Sequence, residues 1–296
     1  MSSKGSVFFK NASLPSVWQA ILPRFLPLIT SLLVPLMLSC NRNKSEIIVA
    51  GSTSVQPFIE KLADQFIEKR PDIKINVQGG GSTAGIQATA NKTCNIGTSS
   101  RYLEEKEKGL KVFLMALDGI AIVVHKNNRI DNLTTEKIKD IFEGKITNWQ
   151  EVGGNNSKII PVTREEGSGT RTTFENLIMG KEAISDACLV QDSNGAVREI
   201  IATTPQGIGY ISAGLVDERI KALKIDGIYP SFENLISNKY RFIRPFLLLT
   251  NGDSTKCGCA KEFIDYVLSA EAQNILKKDG LIPVQECLKT IVKNER

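Results

Sequence analysis

The feature that most restricts how this chain folds is a unit that occurs three times: an apolar strand, a turn of glycine and hydroxyl residues, and a helix that starts at the turn. "AGSTSVQPF" (50–58) follows "EIIVAG" (46–51), "GGGSTAG" (79–85) follows "IKINV" (73–77), and "REEGSGTR" (164–171) follows "KIIPV" (158–162). The first helix is the clearest. Phe58, Ile59, Leu62, Ala63, Phe66 and Ile67 recur at helical spacing between Pro57 and Pro71, and proline opens a helix but cannot continue one. The same grammar continues with "GIAIVV" (119–124) as a strand and "TEKIKDIF" (135–142) as a helix. "RTTFENLIM" (171–179) reads as a helix with Phe174, Leu177 and Ile178 on one side. "GIGYIS" (207–212) and "RFIRPFLLLT" (241–250) read as buried strands, and the tail as a long helix with a break near Ser269 and a C-cap at Gly280. Strands alternating with helices imply an α/β fold with largely parallel sheets. There is no internal sequence repeat and no low-complexity segment.

The three turns carry the chemistry. The first N–H groups of a helix have no intrahelical partner, and the helix dipole adds partial positive charge there. Glycine lets a ligand approach the backbone, and serine or threonine adds a hydroxyl. Such a turn suits an anion, but serine and threonine are equally ordinary N-caps. Nucleotide signatures are missing: no G-x-x-x-x-G-K-[ST] string occurs, and "GGGSTAG" only approximates G-x-G-x-x-G and has no clear acidic partner. Arg164 beside the third turn fits a small oxyanion, because a guanidinium can offer it two hydrogen bonds.

Charge and composition narrow the remainder. Lys4, Lys10 and Arg24 lie in a leader without acids, so beyond residue 39 there are 34 basic against 32 acidic residues, a balance of +2 that gives no reason to expect nucleic acid. The leader's apolar run "FLPLITSLLVPLML" has 14 residues, short of the roughly 20 that a membrane-spanning helix needs. With basic residues before it and Ser39-Cys40 after it, residues 1–39 read as a secretory signal, Cys40 as a lipid-attachment site and 40–45 as an anchored linker. A conventionally cleaved signal and an uncleaved anchor are the alternatives. Cys94, Cys188, Cys257, Cys259 and Cys287 cannot all pair within one chain. No Cys or His cluster accompanies Cys257-Gly-Cys259, so no metal site is expected. The single histidine, His125, ends an apolar run and has no partners for catalysis, so no catalytic residue is assigned.

"AGSTSVQPF", "VQGGGSTAGI", "IGTSSR", "LTTEKIKDIFEGKITNWQEVGG", "VTREEGSGTRTTFE", "QGIGYISAGLV" and "RPFLLLTNG" resemble, in family order across most of residues 46–252, the extracytoplasmic phosphate-binding proteins of bacterial ABC importers. The resemblance implies an α/β, two-lobed periplasmic-binding-protein fold (Venus flytrap, class II) with a mixed, mainly parallel sheet in each lobe. One lobe would comprise 46–118 and 246–296 and the other 119–245, with crossings near Asp118 and Pro245. It implies a monomer that binds inorganic phosphate without a cofactor and delivers it to membrane permease and ATPase subunits. Thr53, Ser54, Ser82, Arg164, Ser168, Gly169 and Thr170 would hold the anion.

Glu166 stands where the family commonly has an acid orienting the arginine, although a solvated loop carboxylate is an equal reading. The family usually has an aspartate two residues before the glycine of the "IGxSSR" string, where this chain has Asn95. With Asn95 at the ligand, loss of that charge would weaken rejection of sulfate-like anions. Trp149 is expected to pack a helix–loop junction, and Arg101 either to line the cleft or to form a surface ion pair. Receptors for sulfate or molybdate, a non-transport sensor or adhesin, and a phosphatase or sulfatase are the competing functions.

Overall fold

The computed structural model describes residues 45–252 and 258–286. The signal and Cys40 assignments, most of the linker, Cys257 and Cys287 lie outside the described residues. In chain order the elements are β1 (Ser45–Gly51), α1 (Gln56–Lys69), β2 (Ile73–Gly79), α2 (Ser82–Ala90), β3 (Ile96–Ser99) and β4 (Lys111–His125). Then follow β5 (Asn132–Leu133), α3 (Thr135–Glu143), β6 (Ile160–Arg164), α4 (Gly169–Phe174), β7 (Leu189–Gln191), α5 (Asn194–Thr203) and β8 (Gly207–Ser212). The last are β9 (Ile220–Ala222), β10 (Lys224–Ile225), α6 (Phe232–Ile236), β11 (Ile243–Thr250), α7 (Gly258–Val267), α8 (Ala270–Lys278) and β12 (Ile282–Pro283).

The main sheet runs β2-β1-β3-β11-β4-β8-β6-β7, with β9 and β12 also paired to β4. Its flanks are parallel: β1 with β2 and β3, and β6 with β7 and β8. Its centre is antiparallel, because β11 pairs with both β3 and β4, and β4 pairs with β8. β4 is far longer than the strand expected over 119–124. Its first part pairs with β11 and its second with β8, so one strand serves both flanks. Gly119 lies inside it because a Cβ there would come within 2.7 Å of Leu235 Cδ2, the close approach for which a strand glycine is suited.

The two largest of four apolar clusters among the described residues sit on either side of this centre. One joins Ile47, Val49, Phe58, Ile59, Leu62 and Phe66 to Phe246, Phe263 and Leu276. The expected face of α1 supplies much of it, and each fully buried large side chain contributes about 1.5–3 kcal/mol. The other joins Ile122, Val124, Ile141, Phe142, Trp149, Phe174 and Tyr210. Trp149 is 2% exposed and its Nε1 donates to Gln206 O at 3.0 Å, which fixes a loop junction.

One helix differs from expectation, and the break expected in the tail is present. The helix expected through residue 179 is α-helical only to Phe174 and then widens into a π-turn, Glu175–Met179. The longer turn rotates Leu177 outward, to 41% exposure, while Phe174, Ile178 and Met179 remain buried. In the tail, Ser269 accepts a hydrogen bond from Ala272 N, so the chain restarts as a separately capped α8.

Candidate functional site

The turns after β1, β2 and β6 meet at the sheet centre, and their hydroxyls show whether they serve as caps. At α1 the N-cap is Val55, and at α2 it is Gly81; neither helix has a side-chain cap. Ser52, Thr53, Ser54 and Ser82 are therefore free of that task. Ser168 does cap α4, accepting from Arg171 N. The capping reading holds for the third turn and fails for the first two.

Thr53 Oγ1 accepts from Arg164 Nη2 at 3.1 Å, and Ser54 Oγ lies 2.8 Å from Thr170 Oγ1. Ser82 Oγ accepts from Ser100 N at 3.0 Å and lies 3.3 Å from Ser100 Oγ, which in turn accepts from Ser52 Oγ at 2.9 Å. Thr83 N donates to Gly167 O at 3.1 Å, joining the second and third turns through the backbone. Gly169 leaves no room for a side chain: a Cβ would come within 2.3 Å of Ser82 Oγ and 2.6 Å of Ser100 Oγ. Thr53, Ser54, Ser82, Arg164, Ser168, Gly169 and Thr170 thus belong to one neighbourhood built from three distant chain segments.

Arg164 is 1% exposed. Glu165 pairs with it through two contacts of 2.9 Å, to Nε and Nη2, and the carbonyls of Gln191 and Asp192 accept from the same two nitrogens. Burial pushes the Glu165 carboxyl up against the opposing pull of Arg164. Arg164 Nη1 is buried and has no hydrogen-bond partner among the described residues. Leaving a buried donor unpaired costs about 1–3 kcal/mol, more when it is charged. Behind the arginine, Tyr210 stacks on Phe174 at 4.0 Å between ring centres. Its hydroxyl lies 2.7 Å from Thr163 Oγ1 and accepts from Arg164 N at 3.3 Å.

One expectation needs correction, and two readings left open are decided. Asn95 does not join the cluster: its Oδ1 accepts from Ile48 N at 2.8 Å and its N donates to Ile48 O. It precedes β3, whereas the turns follow the parallel strands, so the residue that reaches the cluster is Ser100, just after β3. The acid on Arg164 is Glu165, and Glu166 is exposed. Of the two readings for Arg101 the ion pair holds, though it is buried: Arg101 is 5% exposed, clasps Glu107 through contacts of 2.7 and 2.8 Å, and donates from Nη2 to Thr83 Oγ1 of the second turn at 3.1 Å.

The residues not anticipated are Ser52, Ser100, Asn194, Asp118 and Arg244. Asn194 Nδ2 donates to Ser54 Oγ at 2.7 Å, and Arg244 Nη1 donates to Thr170 Oγ1 at 2.7 Å. Arg244 had a visible signal, a charge within an otherwise apolar strand. Asn194 had none, since it simply follows the N-cap Ser193 of α5. Two guanidinium groups, two carboxylates and a set of hydroxyls make a site that is locally balanced in charge and rich in donors. Such a site can hold a small anion by directed hydrogen bonds without excess positive charge.

Residues 40–271 match the family model of the PBP superfamily domain. The phosphate-binding protein PstS of Bacillus subtilis is 36% identical over 244 residues, covering 80% of each chain. That of Borreliella burgdorferi is 31% identical over 273 residues, covering 87% of this chain and 98% of its own. A phosphate ABC transporter substrate-binding protein from Clostridium perfringens, solved with bound phosphate, superposes with a TM-score of 0.78 at 40% identity and covers 81% of this chain and 100% of that one. An ABC-type phosphate transport receptor from Vibrio cholerae gives a TM-score of 0.65 at 39% identity, covering 80% and 99%.

Proposed function

This chain belongs to the PBP superfamily and, within it, to the PstS phosphate-binding proteins, and on that premise we propose that it captures inorganic phosphate between two lobes outside the cytoplasmic membrane and delivers it to an ABC importer. The observation that carries this reading is Arg164 Nη1, a buried charged donor without a partner in a neighbourhood of hydroxyls drawn from separate turns. A phosphate oxygen would satisfy it. Thr53, Ser54, Ser82 and Thr170 would add hydroxyls, with Ser100 in the place first given to Asn95. Ser168 and Gly169 would contribute backbone, since the Ser168 hydroxyl is occupied as a cap.

The lobes would be 46–118 with 246–296, and 119–245, joined where β4 and β11 cross. The two largest apolar cores support that division, apart from Ile282, Leu114 and Leu117, which pack with the second. Contacts between the turns, such as Thr53–Arg164 and Ser54–Thr170, would then form on closure, the differential interaction by which a ligand shifts a two-state equilibrium. The protein would act as a monomeric receptor without catalysis, secreted through residues 1–39 and held at the membrane by lipid on Cys40. Permease and ATPase subunits would receive the closed form.

Isothermal titration of the secreted protein with phosphate, arsenate, sulfate and molybdate tests the reading. Phosphate should bind most tightly among the chemically distinct anions, and Arg164→Ala should abolish most of that binding. Tighter binding of sulfate or molybdate, or unchanged affinity in Arg164→Ala, would overturn it.

A further inference from the structure

Six buried residues form a closed circuit of hydrogen bonds that passes through the Ser54–Thr170 contact. Arg244 Nη1 donates to Thr170 Oγ1 (2.7 Å), Thr170 Oγ1 meets Ser54 Oγ (2.8 Å), and Asn194 Nδ2 donates to Ser54 Oγ (2.7 Å). Ser212 N donates to Asn194 Oδ1 (3.1 Å), Ser212 Oγ donates to Asp118 Oδ1 (2.8 Å), and Arg244 Nε donates to Asp118 Oδ2 (2.9 Å), which closes the circuit. None of the six is more than 1% exposed.

The direction of each bond is fixed at both ends of the hydroxyl pair. A guanidinium has no acceptor, so Thr170 Oγ1 must receive from Arg244. The Ser212 backbone N–H can only donate, so the amide oxygen of Asn194 faces it and the amide NH2 faces Ser54. Each hydroxyl oxygen therefore accepts one proton from outside the pair. The pair shares one of its own two protons internally, which leaves one proton over. Whichever oxygen keeps that proton has both lone pairs filled, so toward any further neighbour it can only donate.

The geometry points to Asn194 and Arg244 as positioning residues that compel the Ser54–Thr170 pair to offer a single proton to the bound anion. They thereby limit the pair to one free proton, with one lone pair left on the oxygen that has given its own proton away, so a ligand can receive one hydrogen bond from the pair and not two. This rests on the phosphate reading and deepens it: neither residue needs to touch the ligand, and both act through the two hydroxyls.

The test is a pair of double-mutant cycles read as phosphate affinity, alongside the melting temperature of each ligand-free protein. Asn194→Ala should weaken binding roughly tenfold, yet weaken it no further in a Ser54→Ala background. Arg244→Lys keeps a cation opposite Asp118 but loses the fork that serves two partners at once. It should show the same non-multiplying pattern with Thr170→Val, and this second cycle carries the test if Asn194→Ala does not fold. General loosening of the protein would instead make the losses multiply and follow the melting temperature, and that result would overturn the proposal. So would an unchanged affinity in Asn194→Ala. A wild-type protein that binds no phosphate would refute the functional reading itself, a different and separable outcome.

Discussion

Asp118 on β4 and Arg244 on β11 stand directly opposite each other in the antiparallel ladder, 0% and 1% exposed, with Arg244 Nη2 and Nε both 2.9 Å from Asp118 Oδ2. Burial pushes the carboxyl up and the guanidinium down; their mutual attraction opposes both, and the Ser212 hydroxyl opposes the shift of the carboxyl. The pair sits where the two crossing strands lie side by side and reaches the third turn through Thr170.

Breaking this pair on one side should cost more than removing it whole. Arg244→Met leaves Asp118 as an uncompensated buried charge, expected to cost about 3–5 kcal/mol. Asp118→Leu combined with Arg244→Met should regain most of that loss, because burying an ion pair costs much of what its attraction returns. Urea unfolding of the ligand-free protein measures both; a double variant less stable than the single would contradict the argument.

Gly169→Ala should impair closure and leave the separate cores intact. Gly169 has no positive φ, so space alone excludes the methyl group, which would press on Ser82 and Ser100. Overpacking of this kind costs about 1–3 kcal/mol, which corresponds to roughly a 5- to 150-fold loss of phosphate affinity. Titration calorimetry reads the loss, and an unchanged Kd would show that the turns can separate without consequence.

Acid should remove the stabilisation that Glu107 provides. The Arg101 guanidinium holds the Glu107 carboxyl below the usual carboxylate range, and both side chains are nearly inaccessible. A depressed folded pKa means that the contribution is complete above the unfolded value of about 4.3 and is lost as pH falls through the lower folded value. Urea midpoints between pH 6 and pH 3 should therefore fall more steeply for the wild type than for Glu107→Gln. Parallel curves would refute the assignment.

Cys94 and Cys188 should resist alkylation in the native state. Both are buried free thiols, and burial pushes Cys188 up to about 11 and also raises Cys94. The thiolate is the reactive form, so iodoacetamide at pH 8 should label neither until the protein is unfolded. Peptide mass spectrometry before and after adding urea settles it.

Thr53, Ser54, Ser82 and Arg164 were legible because each follows or ends a strand, and a local pattern suffices to show where a strand ends. The same logic argued against Asn95, which precedes β3, while Ser100 follows it; strand direction within "CNIGTSSR" was the usable signal. Glu165 and Glu166 are adjacent carboxylates, and only the turn's path decides which one folds back onto Arg164. Arg244 and Asp118 announced themselves as charges within apolar strands, but they are 126 residues apart. Their pairing depends on a register that no local pattern encodes. Leu177 was misplaced because a π-turn shifts the helical phase, and periodicity assumes that phase is constant.

The bond from Thr83 N to Gly167 O joins two backbones that the proposed lobes carry separately. That single amide proton is therefore a clock. Its exchange with deuterated water would count how often the molecule opens, whether or not any side chain has been altered, and added phosphate would slow it.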